Sequence, residues 1–327
     1  MVIEKIEKVL LRIFPENVVK KIIVFFKIFV QFLYCIISLE MVITKRTHTQ
    51  FHDAKMDEAF LQESLTDMGS SSLKLSIIIP AFNASETLER CLKSLANQHV
   101  THNGSYEVLV VDDGSTDSTK KIMETFRSNA RFVLFSKKNG GLSSARNFGL
   151  AQAHGKYVYF LDSDDYLLPG ALEEMLHLTD TDIDLIQFSF QRVRENLQPI
   201  VVDKYLDKQY INVEIFDEPW SGYPWAKLIK KPLIMPFGFP DGYWFEDTIF
   251  PAVVFPRTSS YATSSFVIQS YVDNPKGITR TARYNSKTLD HIKLLFLLFA
   301  EQKQLGIIRT ASANQFWQAH ISTKAYS

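Results

Sequence analysis

The chain has 327 residues, of which 46% are hydrophobic and 22% charged, with 36 basic and 36 acidic side chains. This composition excludes disorder for most of the chain, and the zero formal charge argues against a nucleic-acid-binding protein, which normally carries a basic excess. The length suggests two domains or one large α/β unit with additions. Cys35 and Cys91 are far apart in the sequence, so neither a disulfide framework nor a thiolate metal site is expected.

The amino-terminal region contains the most hydrophobic stretch of the chain, residues 22–39, which is about as long as a minimal membrane span. Lys27 and Gln31 interrupt it and basic residues flank it. This pattern favours a helix at the membrane surface or a weak anchor, with a packed soluble helix or a cleaved signal as alternatives. The polar residues that follow end at 69–72 and indicate a linker, so we predict an apolar helix and a linker over residues 1–72.

From Leu73 onward, short apolar runs alternate with amphipathic segments. The apolar runs are rich in β-branched and aromatic residues and almost continuous in hydrophobicity, which predicts strands buried on both faces. These runs are residues 75–79, 107–111, 131–135, 156–161 and 184–190. Strands alternating with helices predict an α/β fold with a mainly parallel sheet covered on both sides, whose ligands bind at the carboxyl ends of the strands.

Four helices are predicted between the strands. In the first, Asn83 and Glu86 resemble a capping box, and the second is expected to start at Ser115 or Thr116. The third covers about residues 142–153, and the fourth begins at Pro169. Residues 191–285 are less regular, and an apolar helix is predicted over residues 289–305, where it covers the sheet or meets the membrane.

Two acidic clusters directly follow predicted strands. Asp112 and Asp113 come after the run 107–111, and Asp162 and Asp164 come after the run that ends at residue 161. Both clusters therefore belong to the carboxyl edge of the sheet. The second cluster places two carboxylates two residues apart, which suits a hard divalent cation such as Mg²⁺ or Mn²⁺ bound to a diphosphate. An isolated motif of this kind is more often a polar turn, but its position after an apolar strand favours function.

Two other groups add polar chemistry. Arg146 and Asn147 follow a glycine-containing loop near the same edge. Glu246 and Asp247 come after two aromatic residues, and they are either a solvated pair or a site in which a carboxylate held in an apolar pocket acts as a base.

The ordered motifs LSIIIPAFN, VLVVDDGSTD, GLSSARNFGL, YVYFLDSDD, WAKLIKK and FPDGYWFED resemble the family 2 glycosyltransferases, which have the GT-A fold. The resemblance extends from about Leu73 to Arg283 and is greatest to bacterial enzymes that build capsule or exopolysaccharide. It implies transfer of a sugar from a nucleotide-sugar, usually a UDP-sugar, to an acceptor hydroxyl with inversion at the anomeric carbon. It also implies Mn²⁺ or Mg²⁺ as the cofactor.

The resemblance assigns roles to residues of this chain. Asp247 is the expected catalytic base, with Glu246 as the second choice. The metal carboxylates are Asp164 and, closer to the ribose or donor sugar, Asp162. Trp225 and Lys227 lie on the acceptor side. The donor-binding residues are Pro80, Phe82, Asn83, Glu86, Asp112, Asp113, Arg146, Asn147 and Asp162.

The sequence departs from the family pattern at two places. Phe82 stands where a tyrosine is common, so no hydroxyl is available there for the donor. The segment from Tyr271 to Thr279 lacks the arginine and serine that are frequent in the family, which leaves one phosphate or acceptor contact without a candidate.

The resemblance also predicts how the chain is divided and with what it interacts. Residues 73–190 are expected to bind the nucleotide-sugar, residues 191–285 to bind the acceptor and carry the base, and residues 286–327 to be helical. The acceptor is expected to be a glycan or a lipid-linked glycan at the cytoplasmic face of the membrane. The alternatives are a non-catalytic nucleotide-sugar-binding protein and a sugar nucleotidyltransferase, although the latter should have a basic, glycine-rich loop where this chain has residues 80–83.

Overall fold

The computed structural model describes residues 73–101, 106–211, 222–243 and 245–274, together with seven residues between 294 and 305. The predicted amino-terminal apolar helix and linker lie outside these ranges. Among the residues that are described, no helix is both long enough and apolar enough to cross a membrane.

All five predicted apolar runs form strands, with ends that differ by no more than four residues from the expected ones. Five further strands are present, four of them in the region that the sequence left irregular. The strands are β1 (Leu75–Ala81), β2 (Tyr106–Asp112), β3 (Phe132–Ser136), β4 (Tyr157–Phe160), β5 (Tyr166–Leu167), β6 (Leu185–Arg194), β7 (Pro199–Asp203), β8 (Lys208–Ile211), β9 (Lys227–Lys230) and β10 (Ser260–Asp273).

The ten strands form one sheet with the order β3-β2-β1-β4-β9-β6-β10-β5, in which β7 pairs with β6 and β8 with β10. Strands β3, β2, β1 and β4 are mutually parallel, and β6 is parallel to β10. Strand β9 runs antiparallel between β4 and β6. The predicted mainly parallel α/β fold is therefore confirmed, and strands from residues 73–190 and 191–285 contribute to the same sheet.

The helices are α1 (Leu88–Ala96), α2 (Thr119–Glu124), α3 (Leu142–Ala151), α4 (Ala171–Leu178) and the short α5 (Lys231–Ile234). The predicted capping box is wrong. Asn83 Oδ1 accepts a hydrogen bond from the Thr116 backbone N–H at 2.9 Å, and Thr87 holds the N-cap position of α1 without a side-chain bond. Helix α2 starts later than predicted because the Asp117 carboxylate accepts the N–H of Thr119 at 2.9 Å. Helix α4 starts at Ala171 instead of Pro169.

Both faces of the sheet are buried, as the continuous apolar runs predict. In β1, Ile77 and Ile79 pack with the residues of α1 on one face, while Ile78 packs on the other. Leu294 and Leu298 belong to this second face and are helical where they are described. The described part of the carboxyl-terminal segment thus covers the sheet.

Candidate active site

The loops after β1, β2 and β4 meet at one edge because these three parallel strands are neighbours. The Asp113 backbone N–H, just after β2, donates to the Ala81 carbonyl at the end of β1 at 2.8 Å. Asp162 follows β4 by two residues. The two acidic clusters predicted at the carboxyl edge are therefore on neighbouring loops.

Asp113 holds the loop that precedes α3. Its buried carboxylate accepts hydrogen bonds from Lys137 Nζ at 2.6 Å and from the backbone N–H of Gly141 at 2.7 Å. A longer bond comes from the N–H of Gly140 at 3.1 Å. Asp113 therefore shapes the carboxyl edge of the sheet through this loop, and its direct contact with a nucleotide base stays a prediction.

The other predicted donor-side residues surround the same loop. Asp112 Oδ1 accepts from the Ser115 backbone N–H at 2.9 Å and tightens the turn after β2. Pro80 is buried within β1, whereas Phe82 and Glu86 are exposed beyond its end. The 51% exposure of Phe82 leaves its ring available to a ligand at this edge.

Arg146 connects two of the acidic groups. Its Nη2 donates to Asp162 Oδ1 and its Nη1 to Glu246 Oε1, both at 2.7 Å. The arginine side chain is only 3% exposed and packs over the Phe239 ring. A buried cation with two carboxylate partners is a strong electrostatic constraint. It draws the 162–165 turn and the 246–247 turn to the same place, although they are far apart in the sequence.

The Asp162–Asp165 turn concentrates negative charge. Asp164 Oδ2 accepts from Asn274 Nδ2 at 3.0 Å, and burial together with the charge of Asp162 raises the Asp164 pKa. Asp165 is fully buried and accepts the Val272 N–H at 2.8 Å, so it ties the turn to β10. Asp165 therefore positions the turn, and Asp162 and Asp164 form its ligand-accessible side.

The donor set of this turn fits a hard divalent cation. Asp162 and Asp164 supply carboxylate oxygens, the ligand type that Mg²⁺ and Mn²⁺ prefer. Burial, and secondly the charge of Asp162, raises the pKa of Asp164, and a bound cation would offset both effects by stabilising the ionised carboxylate. Within the described ranges, no group of three or more His, Cys, Asp or Glu side chains could hold a metal ion. Asp162 and Asp164 are therefore the candidate metal ligands within the part of the chain that the structure describes.

Asp247 has the electrostatic character of a base. Burial and the adjacent charge of Glu246 raise the pKa of Asp247 to about 6, against the opposing effect of Arg146 and Lys227. Lys227 is fully buried, and burial lowers its pKa well below the ordinary value despite the charge of Asp247. A carboxylate with a pKa near 6 is ionised at neutral pH and still accepts a proton readily.

Asn147 contacts protein backbone. Its Oδ1 accepts the Phe239 N–H at 2.6 Å, and its Nδ2 donates to the Phe239 carbonyl at 2.8 Å. This pair of bonds fixes the loop that carries the ring under Arg146. Asn147 is thus a positioning residue in this structure, and its role in donor binding stays a prediction.

We predict that Gly238→Ala destabilises this loop. Gly238 has φ +61°, and an added Cβ would lie 2.6 Å from Asn147 Oδ1. The strained backbone and the clash together are expected to cost about 1–3 kcal/mol in the free energy of unfolding, measured by urea denaturation. Gly242→Ala is the matched control, because Gly242 also has a positive φ of +80° but no atom within 4 Å of the added Cβ. Equal losses in the two variants would contradict the role of the Asn147 contact.

Trp225 and Lys227, the two residues predicted on the acceptor side, flank the end of β4 and the surroundings of Asp247, respectively. Trp225 is 4% exposed and forms an isolated bridge with Phe160 at the end of β4. Lys227 Nζ donates to the Tyr223 carbonyl at 2.6 Å. The structure thus brings the acceptor-side pair, the 162–165 turn and Asp247 to one region of the sheet.

Four residues of the site were not assigned roles from the sequence. Lys137 and Asn274 pair with Asp113 and Asp164, Asp165 anchors its turn, and Phe239 packs under Arg146. Asp165 could have been found from its place in a run of acidic residues after a strand. The others give no local signal, because each acts through a partner distant in the sequence.

Comparison with known proteins gives consistent results. Residues 76–231 match the model of glycosyl transferase family 2. Over 239 residues the chain is 27% identical to the uncharacterized glycosyltransferase YibD of Escherichia coli, covering 68% of each chain. It is 30% identical to the cholesterol galactosyltransferase of Borreliella burgdorferi, covering 62% of this chain and 60% of that protein. The chain spans only 24% to 48% of the length of three further relatives that it matches.

Among solved structures, that of S. aureus TarS residues 1–349 in complex with UDP-GlcNAc is similar to this chain with a TM-score of 0.63 and 24% sequence identity. The similarity covers 76% of this chain and 73% of that one. It confirms the predicted GT-A fold.

Proposed function

We propose, from the match of residues 76–231 to glycosyl transferase family 2, that the chain transfers a sugar from a nucleotide-sugar to an acceptor hydroxyl with inversion and with a divalent metal ion. The observation that carries the proposal is the double ion pair of Arg146. It joins Asp162, on the candidate metal turn, to Glu246, which adjoins the candidate base Asp247. One-step transfer requires this proximity, because the leaving group and the base act on opposite faces of a single anomeric carbon.

In the proposed reaction, Asp247 accepts the proton of the acceptor hydroxyl as its oxygen attacks the anomeric carbon. The bond from that carbon to the diphosphate breaks through a transition state that resembles an oxocarbenium ion. Burial and Glu246 keep Asp247 basic enough for proton transfer, while Arg146 and Lys227 keep it ionised near neutral pH. A divalent cation held by Asp164 and Asp162 would offset the charge that develops on the diphosphate.

A UDP-sugar is the donor that we propose. The complex of TarS with UDP-GlcNAc supports this choice, since the two chains have the same fold. The exposed ring of Phe82 and the loop that Asp113 holds provide aromatic and polar contacts for the nucleotide at this edge. We place the reaction in the synthesis of a bacterial surface glycan at the cytoplasmic face of the membrane, where a glycan or lipid-linked glycan acceptor is presented.

The activity can be tested with a panel of UDP-sugars. Each is incubated with the protein and Mn²⁺ or Mg²⁺, and release of UDP is measured with and without candidate acceptors. We expect one UDP-sugar to be hydrolysed slowly without an acceptor and consumed faster with one. Binding of UDP without any turnover would favour the alternative of a non-catalytic nucleotide-sugar-binding protein.

Asp164→Ala tests the metal turn. We expect the variant to lose the Mn²⁺-dependent part of UDP binding in calorimetry, so that its affinity falls to the value that the unaltered protein shows with EDTA. The reason is that the removed oxygens belong to Asp164, one of the two carboxylates that we propose as metal ligands. Asp207→Ala, an exposed carboxylate in the loop after β7, is the control and should leave the metal effect unchanged. A metal-dependent gain in affinity that persists in Asp164→Ala would contradict the assignment.

A further inference from the structure

An aromatic stack lies beside the candidate site, and the sequence predicted a role for only one of its rings, that of Trp225. The Trp225 ring stacks with Tyr223 at a centroid distance of 4.8 Å and with Tyr271 at 5.1 Å. Phe190 meets the indole edge-on at 4.7 Å. Trp225 is almost fully buried, whereas Tyr223 is 39% exposed. Tyr223 is therefore the most exposed ring of the stack, while Tyr271 is only partly exposed.

The stack is close to both candidate reacting groups. Tyr271 directly precedes Val272, whose backbone N–H donates to Asp165 Oδ1 at 2.8 Å, so this ring lies beside the 162–165 turn. Burial and the charges of the turn raise the pKa of Tyr271 to about 12. The Tyr223 carbonyl accepts a hydrogen bond from Lys227 Nζ at 2.6 Å, and the charge of Lys227 acts on Asp247. An acceptor in contact with Tyr223 would therefore lie near the base and the leaving group.

We propose that Tyr223 is the stacking platform for a saccharide acceptor, so that the reacting hydroxyl belongs to a sugar ring and not to an acyclic alcohol or a protein side chain. As an assignment of acceptor class, this inference rests on the proposed function. A pyranose has an apolar C–H face, which packs on an aromatic ring, and a hydroxylated rim, which needs polar partners. The stack offers an aromatic ring for the C–H face, and the neighbouring carboxylates offer polar partners for the hydroxyl groups.

Preorganisation is the second argument for a binding role. Tyr223 is stacked on a buried indole, and its backbone carbonyl is held by a fully buried lysine. A side chain fixed in this way loses little conformational freedom when a ligand binds. Tyrosine also combines a large apolar ring with a hydroxyl, which suits a ligand that is apolar on one side and polar on the other.

The test measures saccharide binding directly, with the methyl β-glycosides of glucose, galactose and N-acetylglucosamine as probes. Binding to the full chain in the presence of UDP and Mn²⁺ is followed by saturation-transfer NMR. We expect at least one glycoside to bind, and Tyr223→Ala to weaken it by about tenfold or more, as truncation of a central aromatic contact does. Tyr223→Phe keeps the ring and should retain the affinity within about threefold.

Controls separate this proposal from the proposed function. Tyr106→Ala replaces an aromatic residue at the amino-terminal end of β2, away from the carboxyl edge of the sheet, and should leave glycoside binding unchanged. Near-UV circular dichroism checks the fold of every variant. Three results would overturn the platform. They are undetectable glycoside binding to the unaltered chain, equal glycoside binding by Tyr223→Ala, and tighter binding of glycerol than of any glycoside. Hydrolysis of a UDP-sugar in the same preparation would show that the transferase proposal survives such a result. Glycoside binding without UDP binding would overturn the transferase and, with it, the assignment of the bound saccharide as an acceptor.

Discussion

Replacing Asp247 with asparagine is expected to reduce the rate of sugar transfer by about 10²–10⁴-fold, the usual contribution of a general base. The amide has nearly the shape of the carboxylate but cannot accept the proton of the acceptor hydroxyl. Donor binding should survive, because the residues placed on the nucleotide side do not include Asp247. The measurement is kcat for transfer together with calorimetry of UDP and Mn²⁺.

Glu246→Gln is the matched control for this prediction. Its carboxylate is paired with Arg146, so it is less suited to accept a proton than Asp247. We expect a smaller loss of rate in Glu246→Gln than in Asp247→Asn. The apparent pKa of Asp247 should also fall in this variant, because the negative charge of Glu246 is gone. If Asp247→Asn retained normal turnover while Glu246→Gln did not, the role of base would pass to Glu246.

The same carboxylate has a predictable effect on pH dependence. Since Asp247 acts in its ionised form, kcat/KM of the unaltered protein should rise with pH along a limb centred near pH 6. The raised pKa also means that the folded state binds this proton more tightly than the unfolded state. The contribution of protonated Asp247 to the free energy of unfolding is fully present below about pH 4 and is lost as the pH rises through 6. The stability of Asp247→Asn relative to the unaltered protein should therefore increase between pH 4 and pH 7.

Replacing Arg146 with methionine is expected to cost about 3–5 kcal/mol in the free energy of unfolding, the range measured when one partner of a buried ion pair is removed. Methionine fills much of the same volume, but it leaves Asp162 and Glu246 without their shared cation. The loss of positive charge should also raise the apparent pKa of Asp247, because Arg146 opposes that shift. Urea denaturation measures the first effect, and the pH limb of the residual activity measures the second.

Two further variants test the Arg146 bridge. Arg127→Met removes an exposed arginine that pairs with Glu124, and it should change the stability little. Adding Glu246→Gln to Arg146→Met should restore part of the lost stability, because one of the two uncompensated carboxylates is then neutral. If the double variant is no more stable than Arg146→Met alone, the loss of the ion pairs of Arg146 is not the cause of the destabilisation.

The sequence was most informative about residues whose place in the fold depends on the position of a strand. The apolar runs predicted the first part of the sheet, and the carboxyl ends of those runs predicted where Asp112 and Asp162 would lie. Family resemblance added Asp247, which no periodicity would have singled out. These predictions depend on local pattern or on motif order, and both are visible in a single chain.

What the sequence left open depends on contacts between distant residues. Arg146 and Glu246 are 100 positions apart, and Asn147 meets Phe239 across 92 positions. No spacing rule connects such pairs. Asn83 was expected to cap α1, but a bond to the Thr116 N–H in the next loop prevailed over the local capping pattern.

The antiparallel insertion of β9 affects how the protein can be divided. This strand fills the space between β4 and β6, so the centre of the sheet contains chain from before and after residue 190. A fragment that stops there would leave the β9-facing edge of β4 and both edges of β6 unpaired, and it would lack Trp225 and Lys227, which β9 and its approach carry. The two parts of the chain that we propose to bind the nucleotide-sugar and the acceptor are therefore not exchangeable modules. New specificity has to arise by altering the surrounding loops while the shared scaffold stays intact.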